Sequence, residues 1–140
     1  MVFVQGDPAG LKILVVTPSV PYPPNWGFGI RVFNLLRELA KTNDVSLVCF
    51  AAEADDGKAR ELLTFCEAVH TVPSPLSNNL IKRRRQLRST FSRRSFQSTG
   101  TQSAEMVRLL RTVLAEGDFD LVQLESSQLV SSFPSCSMPA

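Results

Sequence analysis

The stretch that decides the fold runs from Leu11 to Arg31 and reads LKILVVT, PSVPYPPN and WGFGIR in succession. Residues 11–16 hold five apolar residues among six, too few for a membrane span and typical of a buried parallel strand. Prolines at positions 18, 21, 23 and 24 end that strand at Thr17, because proline disrupts a helix and cannot donate to a central ladder. The stretch therefore predicts a strand, a wide loop and the start of a helix.

The predicted helix covers 29–41, and Gly27 and Gly29 precede or open it. Glycine permits backbone angles and close approaches that a side chain would block. The free N–H groups and the dipole of a helix start favour an anion such as phosphate. Two other interpretations stay open: a simple turn, or a dinucleotide fingerprint, which is weakened because Val32 stands at the third glycine position. The apolar face of this helix is predicted to contain Ile30, Val32, Phe33, Leu35, Leu36, Leu39 and Ala40.

Strand and helix patterns alternate along the rest of the chain. Further strands are predicted at 45–50, 68–72 and 119–124, and further helices at 55–66 and 102–116. This alternation predicts an α/β fold, a Rossmann-like parallel sheet with flanking helices. Ligands of such sheets bind beyond the carboxyl ends of the strands.

The segment from Lys12 to Leu39 resembles the start of glycosyltransferase family 4, more narrowly the bacterial exopolysaccharide-type sugar transferases. Phe28 stands where many members have a second glycine. The resemblance implies the N-terminal half of a two-domain GT-B glycosyltransferase. It implies an N-terminal extension over 1–10, an incomplete Rossmann-like domain over 11–133 and a disordered tail over 134–140. The donor-binding C-terminal domain would be absent, and we expect such a truncated chain to be inactive alone.

Members of this family transfer a sugar from a nucleotide-sugar to a glycan or lipid-linked acceptor, with retention of configuration and no essential metal. The nucleotide-sugar is a co-substrate, and no cofactor is implied. No catalytic residue can be assigned on this chain. The resemblance assigns donor-phosphate binding to Gly27, Gly29 and Arg31, and we expect acceptor binding at Tyr22, Asn25 and Glu125.

Several of these residues have an alternative interpretation. Arg31 either contacts a phosphate or forms a surface ion pair. Glu125 either accepts hydrogen bonds from acceptor-sugar hydroxyls or is solvated beside a helix that Ser126 or Ser127 caps. His70 is the only histidine, and we expect a structural role for it in the third strand. No metal-ligand cluster is predicted.

The charge is unevenly distributed, since residues 68–104 hold seven basic and no acidic residues. Such a segment suits a phosphorylated ligand or an anionic membrane surface. Apolar residues interleave with the basic ones over 80–96, as in an interfacial helix, although a solvated basic loop is the other interpretation. Nucleic acid is not expected, because no nucleic-acid module is visible. The predicted membrane or polyanion patch comprises Lys82, Arg83, Arg84, Arg85 and Arg88.

Two alternatives to the transferase hypothesis follow: a non-catalytic phosphate- or nucleotide-binding module, and a membrane-surface domain centred on 80–96. The start of the sequence has neither the basic region nor the apolar run of a signal peptide. The three cysteines lack metal-binding spacing, and Cys49 is expected to be a buried, reduced thiol. The sequence therefore predicts a cytoplasmic protein, and the membrane-surface alternative would place it peripherally at the inner face of the membrane.

Overall fold

The computed structural model describes residues 10–52, 55–74 and 104–132. Two sequence predictions lie outside these ranges: the basic patch within 80–96 and the tail over 134–140. Nearly all of the predicted N-terminal extension lies outside them as well.

Four parallel strands form a single sheet in the order β3-β2-β1-β4. This confirms the predicted α/β class, because every strand pair of the described sheet is parallel and helices connect the strands. The strands are β1 (Lys12–Thr17), β2 (Asp44–Ala51), β3 (Ala68–Pro73) and β4 (Leu121–Leu124). The helices are α1 (Gly27–Leu39), α2 (Asp56–Leu62), α3 (Ala104–Glu116) and a 3₁₀ helix (Ser127–Ser132).

The two central strands explain the continuous apolar runs of the sequence. Both faces of β1 and β2 are covered, so that Leu14, Val15 and Val16 of β1 are fully buried. Val15 pairs with Leu47 of β2, and on the other side with Gln123 of β4. The first strand of the chain is therefore placed in the interior of the sheet.

Two apolar clusters lie on opposite faces of the sheet. On one face α1 and the end of α2 cover alternate residues of β1 and β2, and on the other face α3 covers the residues between them. Period-two alternation thus divides each strand between two cores. The first core includes Ile13, Val15, Leu47, Val32, Leu36 and Leu62, and the second includes Leu14, Val16, Val48, Met106 and Leu110.

The predicted helix boundaries were wrong at several ends. Helix α1 begins at Gly27 rather than at residue 29, because its first turn accommodates both glycines, and it ends at Leu39 rather than 41. Ile30, predicted to lie on the apolar face of this helix, is 44% exposed, because the buried stripe passes through Gly29 and Val32 instead. Helix α2 is shorter than predicted and ends at Leu62, after which the chain forms turns and Leu63 is exposed.

Proline at the end of β3 is compatible with its place in the sheet. The sequence predicted that Pro73 would follow the strand, whereas Pro73 is its last residue and lies opposite Ala51. Because β3 pairs only with β2 in the described sheet, the missing N–H of Pro73 costs no ladder hydrogen bond on that side. Ser74 then donates its N–H to the carbonyl oxygen of Ala51 (2.9 Å).

Candidate functional site

The proline-rich loop leaves the carboxyl edge of the sheet at Thr17. The buried hydroxyl of Thr17 donates to the carbonyl oxygen of Ser19 (2.8 Å), which turns the chain out of the strand. The Tyr22–Pro23 peptide bond is cis. The Tyr22 ring packs against Phe33 of α1, with 5.9 Å between ring centroids. The loop is therefore anchored on the helix that it leads into.

Helix α1 starts without any of the usual groups that compensate a helix N-terminus. Trp26 occupies the N-cap position in an extended conformation and makes no side-chain capping bond, and the first turn has no acidic residue. The first N–H with an intrahelical acceptor is that of Ile30, which donates to Trp26 (2.8 Å). Within the described part of the chain the N–H groups of residues 27–29 have no acceptor. These donors and the helix dipole favour a negative ligand.

The two glycines of this turn differ in their surroundings. Neither has a positive φ, so neither uses the backbone freedom that glycine permits. A Cβ on Gly29 would lie 2.8 Å from the indole ring of Trp26, which therefore rests directly on the helix backbone. A Cβ on Gly27 would meet nothing within 4 Å. Close approach is needed at Gly29, while the space beside Gly27 is open.

Arg31 and Glu125, which are 94 positions apart, meet at this edge of the sheet. Glu125 follows β4 and donates its N–H to the carbonyl oxygen of Val16 (3.0 Å), which extends the pairing with β1. The Nη2 atom of Arg31 lies 2.8 Å from Oε2 of Glu125. The other carboxylate oxygen accepts a hydrogen bond from Nε2 of Gln123. Two predicted site residues are thus brought together, and Arg31 forms an ion pair, although its partner is enclosed rather than at the surface.

The two partners of this ion pair differ sharply in exposure. The side chain of Glu125 is 4% exposed, whereas that of Arg31 is 59% exposed. The interpretation of Glu125 as a solvated residue was therefore wrong. The guanidinium also lies over the Phe28 ring, 5.6 Å from its centroid. Arg31 is held by two contacts while most of its side chain faces solvent, and it lies on α1 about one turn after the unpaired N–H groups.

The end of β2 contributes a second carboxylate to the carboxyl edge, but a structural one. Asp55 accepts a hydrogen bond from the N–H of Ala52 (2.9 Å) and pairs with Nζ of Lys58 (2.6 Å). The pKa of the Asp55 carboxyl is lowered mainly by the hydrogen bond from Lys58 and, to a smaller extent, by the hydrogen bond from Ala52. These contacts close the turn between β2 and α2.

Cys49 is buried as predicted, and its surroundings keep it unreactive. Removal from water is the main cause that raises the pKa of its thiol to about 12, and the nearby Asp55 carboxylate acts in the same direction. Burial also raises the pKa of the Cys66 thiol to about 11. Both cysteines are free, so neither is a thiolate nucleophile at neutral pH.

The remaining predicted site residues divide between two places. Tyr22 is half-buried and Asn25 exposed, both in the loop that follows β1. His70 lies on β3 opposite Val48, away from the carboxyl edge. The described ranges contain no group of three or more His, Cys, Asp or Glu side chains that could hold a metal ion. No helix of the described part is long and apolar enough to cross a membrane.

Sequence reasoning did not anticipate two contacts of this site. It did not assign Trp26 a place on Gly29, and it did not pair Gln123 with Glu125. The second contact has a simple signal, because residues two apart in an extended chain project to the same face. The contact of Trp26 with Gly29 has no such signal in the sequence, because it depends on how the loop after β1 returns to the start of α1.

Comparison with known proteins supports the fold and leaves the family open. No protein-family model matches the chain, and no curated protein matches it. Two structures of the C-terminal domain of a hydrogenase from Pyrococcus furiosus are similar, each with a TM-score of 0.52. One is 16% identical and the alignment covers 94% of this chain and 92% of that one; the other is 17% identical, with 92% and 86% covered. At this identity the likeness shows a shared α/β, Rossmann-like arrangement.

Proposed function

We propose that this chain is the acceptor-side domain of a glycosyltransferase of the family 4 type, and that the start of α1 receives the diphosphate of a nucleotide-sugar. The observation that carries the proposal is the position of an exposed, doubly anchored Arg31 beside unpaired N–H groups at the carboxyl edge of the sheet. The sequence resemblance over residues 12–39 selects the transferase among anion-binding α/β proteins.

The first support is the match between donor groups and ligand charge. Backbone N–H groups of residues 27–29 and the guanidinium of Arg31 are all donors, and the first turn has no carboxylate that would compete with a phosphate. A helix N-terminus at the carboxyl edge of a parallel sheet is a favourable position for phosphate groups. The space beside Gly27 admits a ligand close to the backbone.

The second support is the part that Glu125 plays behind Arg31. An enclosed carboxylate that forms an ion pair with Arg31 and accepts a hydrogen bond from Gln123 fixes the direction of the guanidinium. One nitrogen of Arg31 takes part in this ion pair, and the guanidinium donates no hydrogen bond to any described residue. In this proposal Glu125 positions Arg31, and the remaining guanidinium donors contact the ligand.

The chemistry proposed for these residues is electrostatic. When a sugar leaves a nucleotide-sugar, negative charge accumulates on the departing diphosphate. Preoriented N–H groups and a fixed guanidinium lower the energy of that charge without reorganising during the reaction. Tyr22 and Asn25, in the loop that faces the same edge, are the proposed contacts of the acceptor. The protein would act in the cytoplasm on a glycan or lipid-linked acceptor.

The test uses the single tryptophan of the sequence as the reporter. Trp26 is the N-cap residue of α1 and 38% exposed, so a ligand at this helix start should alter its fluorescence. We expect saturable changes with uridine diphosphate and its glucose conjugate, and at least ~tenfold weaker binding in Arg31→Gln, since a charge-assisted hydrogen bond contributes roughly 1.5–3 kcal/mol.

Arg37→Gln is the matched control, because Arg37 lies on the same helix over a phenylalanine ring but forms no ion pair with any described residue. Equal binding by both variants, or no binding of any nucleotide diphosphate or sugar nucleotide, would contradict the proposal.

The non-catalytic binding module is the second candidate, and the same anion-binding groups favour it. The two candidates differ in what else must bind. A transferase domain should also bind an acceptor saccharide near Tyr22 and Asn25, and sugar transfer should appear when a donor-binding domain is supplied. Nucleotide binding without either result would favour the module.

A further inference from the structure

A cleft opens at the edge of the sheet opposite the carboxyl edge, where the strands begin. It has a volume of about 460 Å³, within the usual size of small-ligand pockets. The first residues of the strands form its floor, and the last turn of α3 and the residues after it form its wall. We refer to it as the amino-edge cleft, and its polar lining consists of Lys12, Ser46, Glu67, His70, Glu116 and Asp118.

Ser46 is the most informative residue of the amino-edge cleft. It belongs to the central strand β2, is only 4% exposed, and lines the cleft. Its hydroxyl makes no hydrogen bond to any described residue. No side-chain polar atom in the described ranges is both sealed from solvent and unpartnered, so this hydroxyl must open into the cleft. A buried strand position is normally occupied by an apolar residue, and buried hydroxyl groups are normally hydrogen-bonded. The Ser46 hydroxyl is therefore available to form a hydrogen bond with a ligand in the cleft.

The electrostatics of the amino-edge cleft favour a cation. Glu67, Glu116 and Asp118 form no ion pair with any described residue. With Lys12 as the single basic lining residue apart from His70, the lining carries two net negative charges when His70 is neutral. Glu116 is also the last residue of α3, whose final turn contains no basic residue. A carboxylate at a helix C-terminus opposes the dipole, and a bound cation would relieve that repulsion.

The walls of the cleft favour an organic cation over a metal ion. Val113 and the ring of Phe119 supply apolar surface beside the carboxylates. The Phe119 ring lies so close to Gly117 that a Cβ there would approach it to 2.2 Å, so the aromatic wall depends on this glycine. The described residues offer no cluster with the ligand number that a metal requires. The methylene groups of an organic cation would pack against these apolar walls, and its ammonium groups would form ion pairs with the carboxylates.

We propose that the amino-edge cleft binds a small organic dication of the diamine or polyamine class. Its ammonium groups contact the carboxylates of Glu116, Asp118 and Glu67, the Ser46 hydroxyl accepts one N–H, and the methylene chain lies along Phe119. The two charges of a diamine match the net charge of the lining. This site is separate from the carboxyl edge and does not depend on the proposed transferase function.

The experiment is calorimetric titration of the full chain with 1,4-diaminobutane and with spermidine at fixed ionic strength. We expect saturable binding with a Kd below about 1 mM. The double variant Glu116→Gln/Asp118→Asn should weaken it at least ~tenfold, because both removed charges face the ligand. The matched control Glu61→Gln/Glu105→Gln removes two exposed carboxylates outside the cleft and should leave the affinity unchanged.

Ser46→Ala separates ligand binding from a structural role. Because the hydroxyl has no partner in the described structure, we expect the variant to be at least as stable as the parent chain while it binds the diamine less tightly. Absence of binding of either amine to the folded chain, or equal affinity in the two double variants, would overturn the proposal. So would a Ser46→Ala variant that retains full affinity.

Discussion

Replacing Arg31 by methionine should destabilise the protein by about 2 kcal/mol. The variant leaves the Glu125 carboxylate, only 4% exposed, without its cation. An enclosed charged group that loses a partner costs roughly 1–3 kcal/mol, and the lower half applies because Arg31 is 59% exposed and its charge is screened by solvent. Loss of the contact with the Phe28 ring adds about 0.5 kcal/mol.

Urea unfolding, followed by far-UV circular dichroism, measures this difference. Arg37→Met is the matched control because it removes a similar cation–ring contact from the same helix, 5.9 Å from the Phe33 centroid, without uncovering a carboxylate. We expect about 0.5 kcal/mol for this control. At roughly 3 °C per kcal/mol for a chain of this size, the two variants should also differ in Tm by about 4–5 °C.

A double-mutant cycle tests the reasoning directly. Glu125→Gln removes the charge that Arg31 balances, so the combination of Arg31→Met with Glu125→Gln should be more stable than the sum of the single effects. We expect an interaction energy of at least about 1 kcal/mol. An additive cycle, or an Arg31→Met variant no less stable than Arg37→Met, would refute the claim that this pair is coupled.

Three further predictions concern other parts of the chain. Gly29→Ala should displace the indole of Trp26 and shift its fluorescence, whereas Gly27→Ala should leave the emission unchanged, because only the first Cβ would meet the ring. Because the pKa of Cys49 is raised to about 12 and that of Cys66 to about 11, only the unfolded thiols lose their protons above pH 9, and each should lower the stability by up to about 1.4 kcal/mol per pH unit; in urea titrations Cys49→Ala should remove only the part of this slope that belongs to Cys49. Replacing the basic residues Arg83–Arg85 by glutamine should abolish salt-sensitive sedimentation with phosphatidylglycerol vesicles, and unchanged sedimentation would contradict the membrane hypothesis.

The fold was predictable where local pattern and tertiary structure agree. The apolar run before Thr17 and the prolines after it left only a buried strand that ends there, and the structure has this strand in the interior of the sheet. Helix ends were less predictable. Ile30 was assigned to the apolar face of α1, yet the residues four and seven positions after it are Asn34 and Arg37, so it lies on the polar side of the helix. The predicted face was too wide, and the buried stripe passes through Gly29 and Val32.

The site was predictable in its parts and not in its connections. The rule that ligands bind at the carboxyl edge brought Arg31 and Glu125 to the same region. It did not determine that the carboxylate would be enclosed behind the guanidinium, because this depends on the angle between α1 and β4. The amino-edge cleft was not anticipated, because its lining residues, such as Ser46 and Glu116, are far apart in the sequence and do not belong to a recognisable motif.

The pairing of β1 with β4 has a consequence for the order of assembly. The N–H of Lys12 donates a hydrogen bond to the carboxylate of Asp120, which is 108 positions later in the sequence. By contrast, β1, β2 and β3 all lie within the first 73 residues. Closing the longer chain segment costs more entropy, so we expect the first three strands to associate early during synthesis and β4 to dock last. Arg31 therefore acquires its carboxylate partner only at the final step, and a ribosome-bound chain that stops short of residue 121 would contain most of the sheet but an unpaired guanidinium.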